Sequence, residues 1–249
     1  MGLGRGAVLL LGALLWCGAA AGAQLACGHF TEEALAPPAP REAKWPVHRC
    51  EVINRRIETE PHRLLFLGDS ITERFEQQAP EVWRQNMASR GVLDDGVSGD
   101  RTEHLLWRMQ HGNLAGLPPK GVIVLIGTND LTNGGNPRSM ELIAEGIRRD
   151  LLYLRTQLPN TRILLLGLWP RGASPTARLR RGTVAVNRLI RACGDNDMVV
   201  YADIGGVLLK PDGTLTREIS PDLLHFSPAG YERLMPRLDA LIDNLVAGR

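Results

Sequence analysis

The sequence predicts a three-layer α/β/α sandwich built on a central parallel sheet. Three observations carry that reading. Short, wholly apolar runs recur along the chain and most end at glycine, as strands buried on both faces do. Segments with apolar residues at three- and four-residue steps lie between them. Strands alternating with helices form right-handed βαβ units, which places a parallel sheet between two helix layers.

The elements follow in order. Arg5 precedes an uncharged apolar run over residues 7–17, and Ala21-Gly22-Ala23 fits an A-x-A cleavage site. Residues 1–23 therefore read as a signal peptide; the apolar core is short for a membrane span. A retained anchor and a lipid on Cys27 are the alternatives, although Gln24-Leu25-Ala26 is a poor lipidation signal. Residues 24–60 read as an N-terminal extension, in which Pro37, Pro38, Pro40 and Pro46 oppose regular structure and Trp45 and Val47 are packing candidates. The α/β domain spans 61–249. Its first strand is Leu64-Leu65-Phe66-Leu67, ending at Gly68, with the short run Gly96-Val97-Ser98 expected beside it. Val122-Ile123-Val124-Leu125-Ile126 ends at Gly127 and Ile163-Leu164-Leu165-Leu166 at Gly167, and Met198-Val199-Val200-Tyr201 follows. Ile143, Ile147, Leu151, Leu154 and Leu158 mark one helix, and Leu234, Leu238, Leu241 and Leu245 the last, which Ser227-Pro228 opens as serine cap and first-turn proline.

The 249 residues fit one such domain plus an extension. The net charge of +2 and the lack of a long basic run leave no nucleic-acid footprint. Arg178-Leu179-Arg180-Arg181 reads as the solvated start of a helix. Export implies an oxidising compartment, periplasmic or extracellular. Cleavage after Ala23 leaves Cys27, Cys50 and Cys193. Cys27 and Cys50 flank the extension and are expected to bridge. Cys193 shares a helical stripe with Leu179, Thr183, Val186 and Ile190 and is expected as a buried thiol.

In open parallel sheets ligands bind at the carboxyl ends of the strands. Ser70, Gly99 and Asn129 all follow strand ends, so they should meet on one edge. Ser70 also starts a helix, where its hydroxyl and backbone N–H are presented together at the positive end. Asp222 and His225 stand three apart before the last helix, close enough for the carboxylate to aim the imidazole. Gly99 lets the backbone approach an oxyanion and Asn129 can donate its amide to it. The candidate catalytic residues are thus Ser70, His225 and Asp222, with Ser70, Gly99 and Asn129 as the oxyanion hole. Asp69 reads as a structural partner of its turn. No histidine and carboxylate set has metal-ligand spacing, so neither metal nor cofactor is expected. Gly-Asp-Ser alone is a common turn; the ordered set carries the assignment.

On these residues the chain resembles SGNH (GDSL-type) hydrolases, from about residue 48 to the end. Within them it is most similar to the catalytic α-subunits of type I platelet-activating-factor acetylhydrolase. Leu65-Phe66-Leu67-Gly68-Asp69-Ser70, Val82-Trp83-Arg84, Gly99-Asp100-Arg101-Thr102-Glu103-His104-Leu105-Leu106-Trp107-Arg108, Leu168-Trp169-Pro170-Arg171-Gly172, Val186-Asn187 and Asp222-Leu223-Leu224-His225 carry the likeness. Ser98 stands where that subgroup usually has glycine, and Asp130 where it often has asparagine. The resemblance implies a flavodoxin-like fold, Ser70 as nucleophile, an Asp222–His225 pair, an oxyanion hole of Ser70, Gly99 and Asn129, and a homodimer. It also implies a preference for small acyl groups.

Three functions follow. The first is a secreted esterase of acetyl-like esters of a glycan, lipid or other small molecule. The second is a lysophospholipase or lipase. The third is an inactive binding module on the same fold. A nucleotide-binding protein would need a glycine-rich phosphate loop after the first strand, and Gly-Asp-Ser-Ile-Thr-Glu is not one.

Overall fold

A computed structural model describes residues 25–248 except 117, 195 and 196; the expected signal peptide, residues 1–23, lies outside them. The described chain begins as an irregular strap and enters α1 (Lys44–Thr59). β1 (Leu64–Gly68) and α2 (Ser70–Gln78) follow, then a short α3 (Pro80–Val82) that runs into a widened turn over Trp83–Met87. Next come β2 (Val92–Gly96), α4 (Thr102–Gln110), β3 (Gly121–Leu125), α5 (Met140–Gln157) and β4 (Arg162–Leu166). The chain closes with α6 (Arg178–Ile190), β5 (Val199–Ala202) and α7 (Pro228–Ala247).

The five strands are parallel in the order β2-β1-β3-β4-β5. From β1 the chain steps outward to β2 and then crosses to β3 on the other side. Gly68 pairs with Gly96 on one flank and Leu125 on the other, so three strand ends finish level. That reversal opens the crevice where parallel sheets bind ligands.

Alternation along β1 builds both layers. Leu64 and Phe66 pack with Ile71 and Phe75 of α2 and Leu234 and Leu238 of α7. Leu67 faces the opposite way, with Leu105 of α4, Ile147 of α5 and Val186 of α6. Leu65 on that same face meets Ile53 and Ile57 of α1. The stripe in α5 is buried as expected, as is that in α7 except Leu241, which is only partly covered, and Ser227 Oγ caps α7 by accepting from Gly230 N. Among the described residues no helix is long and apolar enough to cross a membrane.

Several local expectations are corrected. The second strand is Val92–Gly96, not 96–98; it is short, and Asp94 and Asp95 within it break the apolar run, although both are fully buried. Pro46 sits in the first turn of α1, where no intrahelical N–H is needed, so it does not stop the helix. Trp45 and Val47 are exposed rather than packed, because α1 turns Pro46, Cys50, Ile53 and Ile57 inward instead. The disulfide joins Cys27 to Cys193, and Cys50 is the buried free thiol. The strap runs away from α1 to the end of α6, which brings Cys27 beside Cys193 and leaves Cys50 facing the sheet. Arg180 is buried, donating to the carbonyls of Arg171, Gly172 and Gly213, so the basic start of α6 is only partly solvated.

Candidate active site

Each element end delivers one group. At the tip of β1, Asp69 Oδ1 accepts from Ile71 N at 2.9 Å and starts α2. Asp69 is wholly buried, and that burial pushes its carboxyl up to about 7 against the pull of the Ile71 N–H and Arg171. Ser70 is the first residue of α2, so its N–H has no intrahelical acceptor.

After the sheet, residues 220–226 form a tight turn. Asp222 Oδ1 accepts from Leu224 N at 3.0 Å and His225 N at 2.7 Å, and Ser220 Oγ donates to His225 O at 2.8 Å. Leu223 takes φ 62° to close this turn, a left-handed conformation costing leucine roughly 1 kcal/mol or more. Its carbonyl is held by Gly172 N at 2.8 Å. The result is a line of hydrogen bonds: Asp222 Oδ2 to His225 Nδ1 at 2.6 Å, and His225 Nε2 to Ser70 Oγ at 2.8 Å. The Ser70–His225 contact joins residues 155 apart in sequence.

The charges suit proton transfer. Burial lowers the His225 pKa, Asp222 opposes that, and the Arg74 and Arg171 guanidinium groups add to the lowering. The partial burial of Asp222 raises its pKa, but the His225 side-chain and backbone donors outweigh this and hold it at about 2. A neutral imidazole beside an ionised carboxylate can take a proton from the serine hydroxyl.

On the facing side Gly99 has φ +81°, which only glycine adopts without strain, and among the described residues nothing accepts from its N–H. Asn129 Nδ2 donates one hydrogen to Asp100 O at 2.9 Å, leaving its second hydrogen to give. Ser70, Gly99 and Asn129 each follow, within four residues, a strand whose end is level with its neighbours, and the Asn129 amide joins the Gly99 loop through Asp100 O.

Several residues beneath the site were not foreseen. Arg108 is fully buried and reaches Gly68 O at 3.1 Å, the Asp95 carboxylate, and Asp100 Oδ2 at 2.7 Å. It ties the serine strand to the Gly99 loop. Asp130 accepts from Thr102 N at 3.2 Å and from Arg138 at 2.7 Å, which fastens α4 to the Asn129 loop. Arg171 donates to Thr128 O at 2.8 Å. Arg108 to Gly68 O, Thr102 to Asp130 and Arg171 to Thr128 O each span 28 residues or more, and the nearer pairs, Arg108 with Asp100 and Arg138 with Asp130, stand at no spacing that marks a pair. The only sequence signal is that Arg108, Arg171 and Asp130 stand beside motif residues.

Comparison with known proteins gives the family and the fold. The model of the GDSL-like lipase/acylhydrolase family matches residues 66–233. Subunit alpha2 of platelet-activating factor acetylhydrolase IB from Rattus norvegicus is 33% identical over 184 residues, 74% of this chain and 77% of that protein. A GDSL-like lipase from Bacteroides thetaiotaomicron superposes with TM-score 0.62 at 18% identity, covering 80% of this chain and 96% of that one. An acetylxylan esterase from Geobacillus stearothermophilus does so with TM-score 0.58 at 18% identity, covering 74% and 94%.

Proposed function

This chain belongs to the GDSL-like lipase/acylhydrolase family and is a carboxylic ester hydrolase, and from that premise we propose that it cleaves small-acyl, chiefly acetyl, esters through a Ser70–His225–Asp222 triad and an acyl-enzyme. The observation that carries this is the unbroken hydrogen-bond line from Asp222 through His225 to Ser70 Oγ. Ser70 Oγ attacks the ester carbonyl as its proton passes to His225 Nε2. Asp222 stabilises the imidazolium. The N–H groups of Ser70 and Gly99 and the free Asn129 hydrogen receive the oxyanion, one such donor being worth roughly 3 kcal/mol. Collapse expels the alcohol, which takes the proton from His225. Water, deprotonated by His225, then attacks the acyl-serine and frees the acid.

The large apolar side chains adjoining the site residues in sequence are mostly turned into the core, with Leu223 and Leu224 only half-buried, which supports a small acyl group. Trp169 and Phe226 pack edge to face at 5.6 Å and are buried. Leu131, after Asn129, is buried too, and the residues that follow it are polar and glycine-rich. The alcohol half is left to assay: the acetylhydrolase and the acetylxylan esterase are both named for acetyl removal, from different alcohols. The Cys27–Cys193 disulfide supports export to an oxidising compartment.

The test is a series of aryl esters of increasing acyl length, with Ser70→Ala as control. We expect kcat/KM to fall from acetyl or butyryl towards octanoyl, because the polar, glycine-rich residues after Leu131 offer little surface for the ~0.8 kcal/mol that burying each methylene would contribute. Ser70→Ala should fold but lose hydrolysis, and an organophosphate should label Ser70 alone. A maximum at eight carbons or more would indicate a lysophospholipase or lipase, and an active alanine variant would remove Ser70 from the mechanism.

A further inference from the structure

The loop carrying Gly99 is held from three directions. Arg108 binds the Asp100 carboxylate from α4, and Asn129 donates to Asp100 O from the end of β3. The third hold comes from the N-terminal strap. Arg41 Nη1 donates to Gly99 O at 2.8 Å, across 58 residues of sequence. The guanidinium also covers Gly99: a Cβ built there would lie 2.8 Å from Nη2 and 3.2 Å from Cζ. Gly99 is thereby restricted twice, by its left-handed backbone and by the cation lying over its Cα.

The strap brings Arg41 to this point through its own anchors. Cys27 is bonded to Cys193, Phe30 N donates to Glu145 at 3.1 Å, Arg149 donates to Ala36 O at 2.8 Å, and Ala39 N to Glu103 O at 3.4 Å. Between strap and α4 lies an open cleft of about 610 Å³, lined by Arg41, Arg101, His104 and Arg138 among others. Glu103 pairs with Arg101 and Arg138, and Asp130 also pairs with Arg138. Arg41 has no carboxylate partner among the described residues; its hydrogen bond goes to Gly99 O.

We propose that Arg41 is a positioning residue of the hydrolytic site: it holds the Gly99–Asp100 peptide through Gly99 O and so fixes the left-handed backbone of Gly99, which aims the N–H of the preceding Ser98–Gly99 peptide at the oxyanion and makes the N-terminal strap part of the catalytic apparatus. This rests on Gly99 being an oxyanion donor, as proposed above. The carbonyl of Gly99 is a strong acceptor in a glycine-containing loop, and a charged donor pins it more firmly than a neutral one. A preorganised donor acts on the transition state, so its loss should appear in kcat and not in KM.

The experiment compares Arg41→Ala, Arg41→Lys and Asn129→Ala on a short aryl ester, with organophosphate labelling of Ser70 as a second readout. Arg41→Ala should lower kcat about tenfold with KM changed less than about twofold, and labelling should slow in parallel, since phosphorylation of the serine uses the same donors. Arg41→Lys keeps one charged donor and should recover part of the loss. If alanine at 41 prevents folding, Arg41→Gln takes its place, with the same fall in kcat expected. Unchanged kcat in a folded Arg41 variant, or a rise in KM alone, overturns the inference. Asn129→Ala separates the two claims. If it lowers kcat while Arg41→Ala does not, Arg41 has no positioning role and the oxyanion hole stands. If neither lowers kcat, the oxyanion assignment itself fails.

Discussion

His225 must be neutral to take a proton from Ser70, and its surroundings keep it so. Burial disfavours the imidazolium first; Arg74 and Arg171 repel it, and Asp222 restores only part of its stability. The acid limb of kcat/KM should therefore lie below the ordinary histidine value of 6.5. Arg74→Gln removes one repelling charge and should move that limb upward. A limb above 7 in the native enzyme, or no upward movement in the variant, contradicts this account. The residues in this line were legible because their signals are local. Ser70 stands between a strand and a helix, and Asp222 and His225 share one turn. Arg41, Arg108 and Arg171 were not legible. Each reaches a backbone carbonyl, 58, 40 and 43 residues away, and a carbonyl leaves no mark in a sequence; the Asp95 and Asp100 carboxylates that also hold Arg108 lie in a strand and a loop that no pattern pairs with α4.

Elements were legible where one physical signal dominated. The apolar runs of β1, β3, β4 and β5 and the stripes of α5 and α7 follow from burial alone. β2 was displaced because Asp94 and Asp95 interrupt it; Asp95 is paid for in place by Arg108 and Asn113, which no local pattern announces. The strap reads as an extension in sequence because its prolines mask its anchors. Its disulfide closes a span of 166 residues, and cross-linking so long a loop contributes roughly 2–5 kcal/mol, chiefly by restricting the unfolded chain. Reduction, or Cys193→Ala, should lower the unfolding midpoint in denaturant and steepen its slope, because the unfolded chain freed of the cross-link is more expanded. Cys50 is buried, and burial pushes its thiol up to about 11, so the native protein should alkylate slowly. Denatured without reductant, a chain cleaved after Ala23 should show one reactive thiol, and three after reduction. A chain that retains Cys17 adds one to each count. Three fast thiols in the native protein would rule out the Cys27–Cys193 bridge.

Across the whole molecule, alternating strands and helices led directly to the parallel sheet with helices on both faces. Composition did not reveal how many carboxylates this fold buries. Asp69, Asp94 and Asp150 are wholly enclosed. Neither oxygen of Asp150 has a partner among the described residues, and burial raises its pKa well above the usual range. Burial likewise raises Asp94, with Arg49 opposing, and takes Asp69 to about 7. Their folded values exceed their unfolded ones, so the stability they add is complete below about pH 4 and is lost as pH rises towards 7. His104, lowered to about 4 by burial, and His225 act oppositely: their contribution is present above 6.5 and fades as pH falls. Asp69, raised to about 7, and Asp95, Asp100 and Asp130, each raised by burial to about 6, also bind protons in the folded state near pH 6, and together they outweigh the two histidines of the unfolded chain. Stability should therefore increase from pH 8 to about 5. Below about pH 4 the trend reverses. Glu103 is buried, which raises its pKa, but Arg138 and Arg101 outweigh that and hold it at about 2; Asp222 is held as low by His225. Both must then be protonated against their partners. Thermal midpoints measured from pH 4 to 8 should peak near 5, and Asp150→Asn, which needs no proton to be neutral, should raise the midpoint more at pH 7.5 than at pH 5. A midpoint that climbs steadily from pH 5 to 8 would mean these aspartates are ionised in the folded protein, with partners or water supplying what burial takes away.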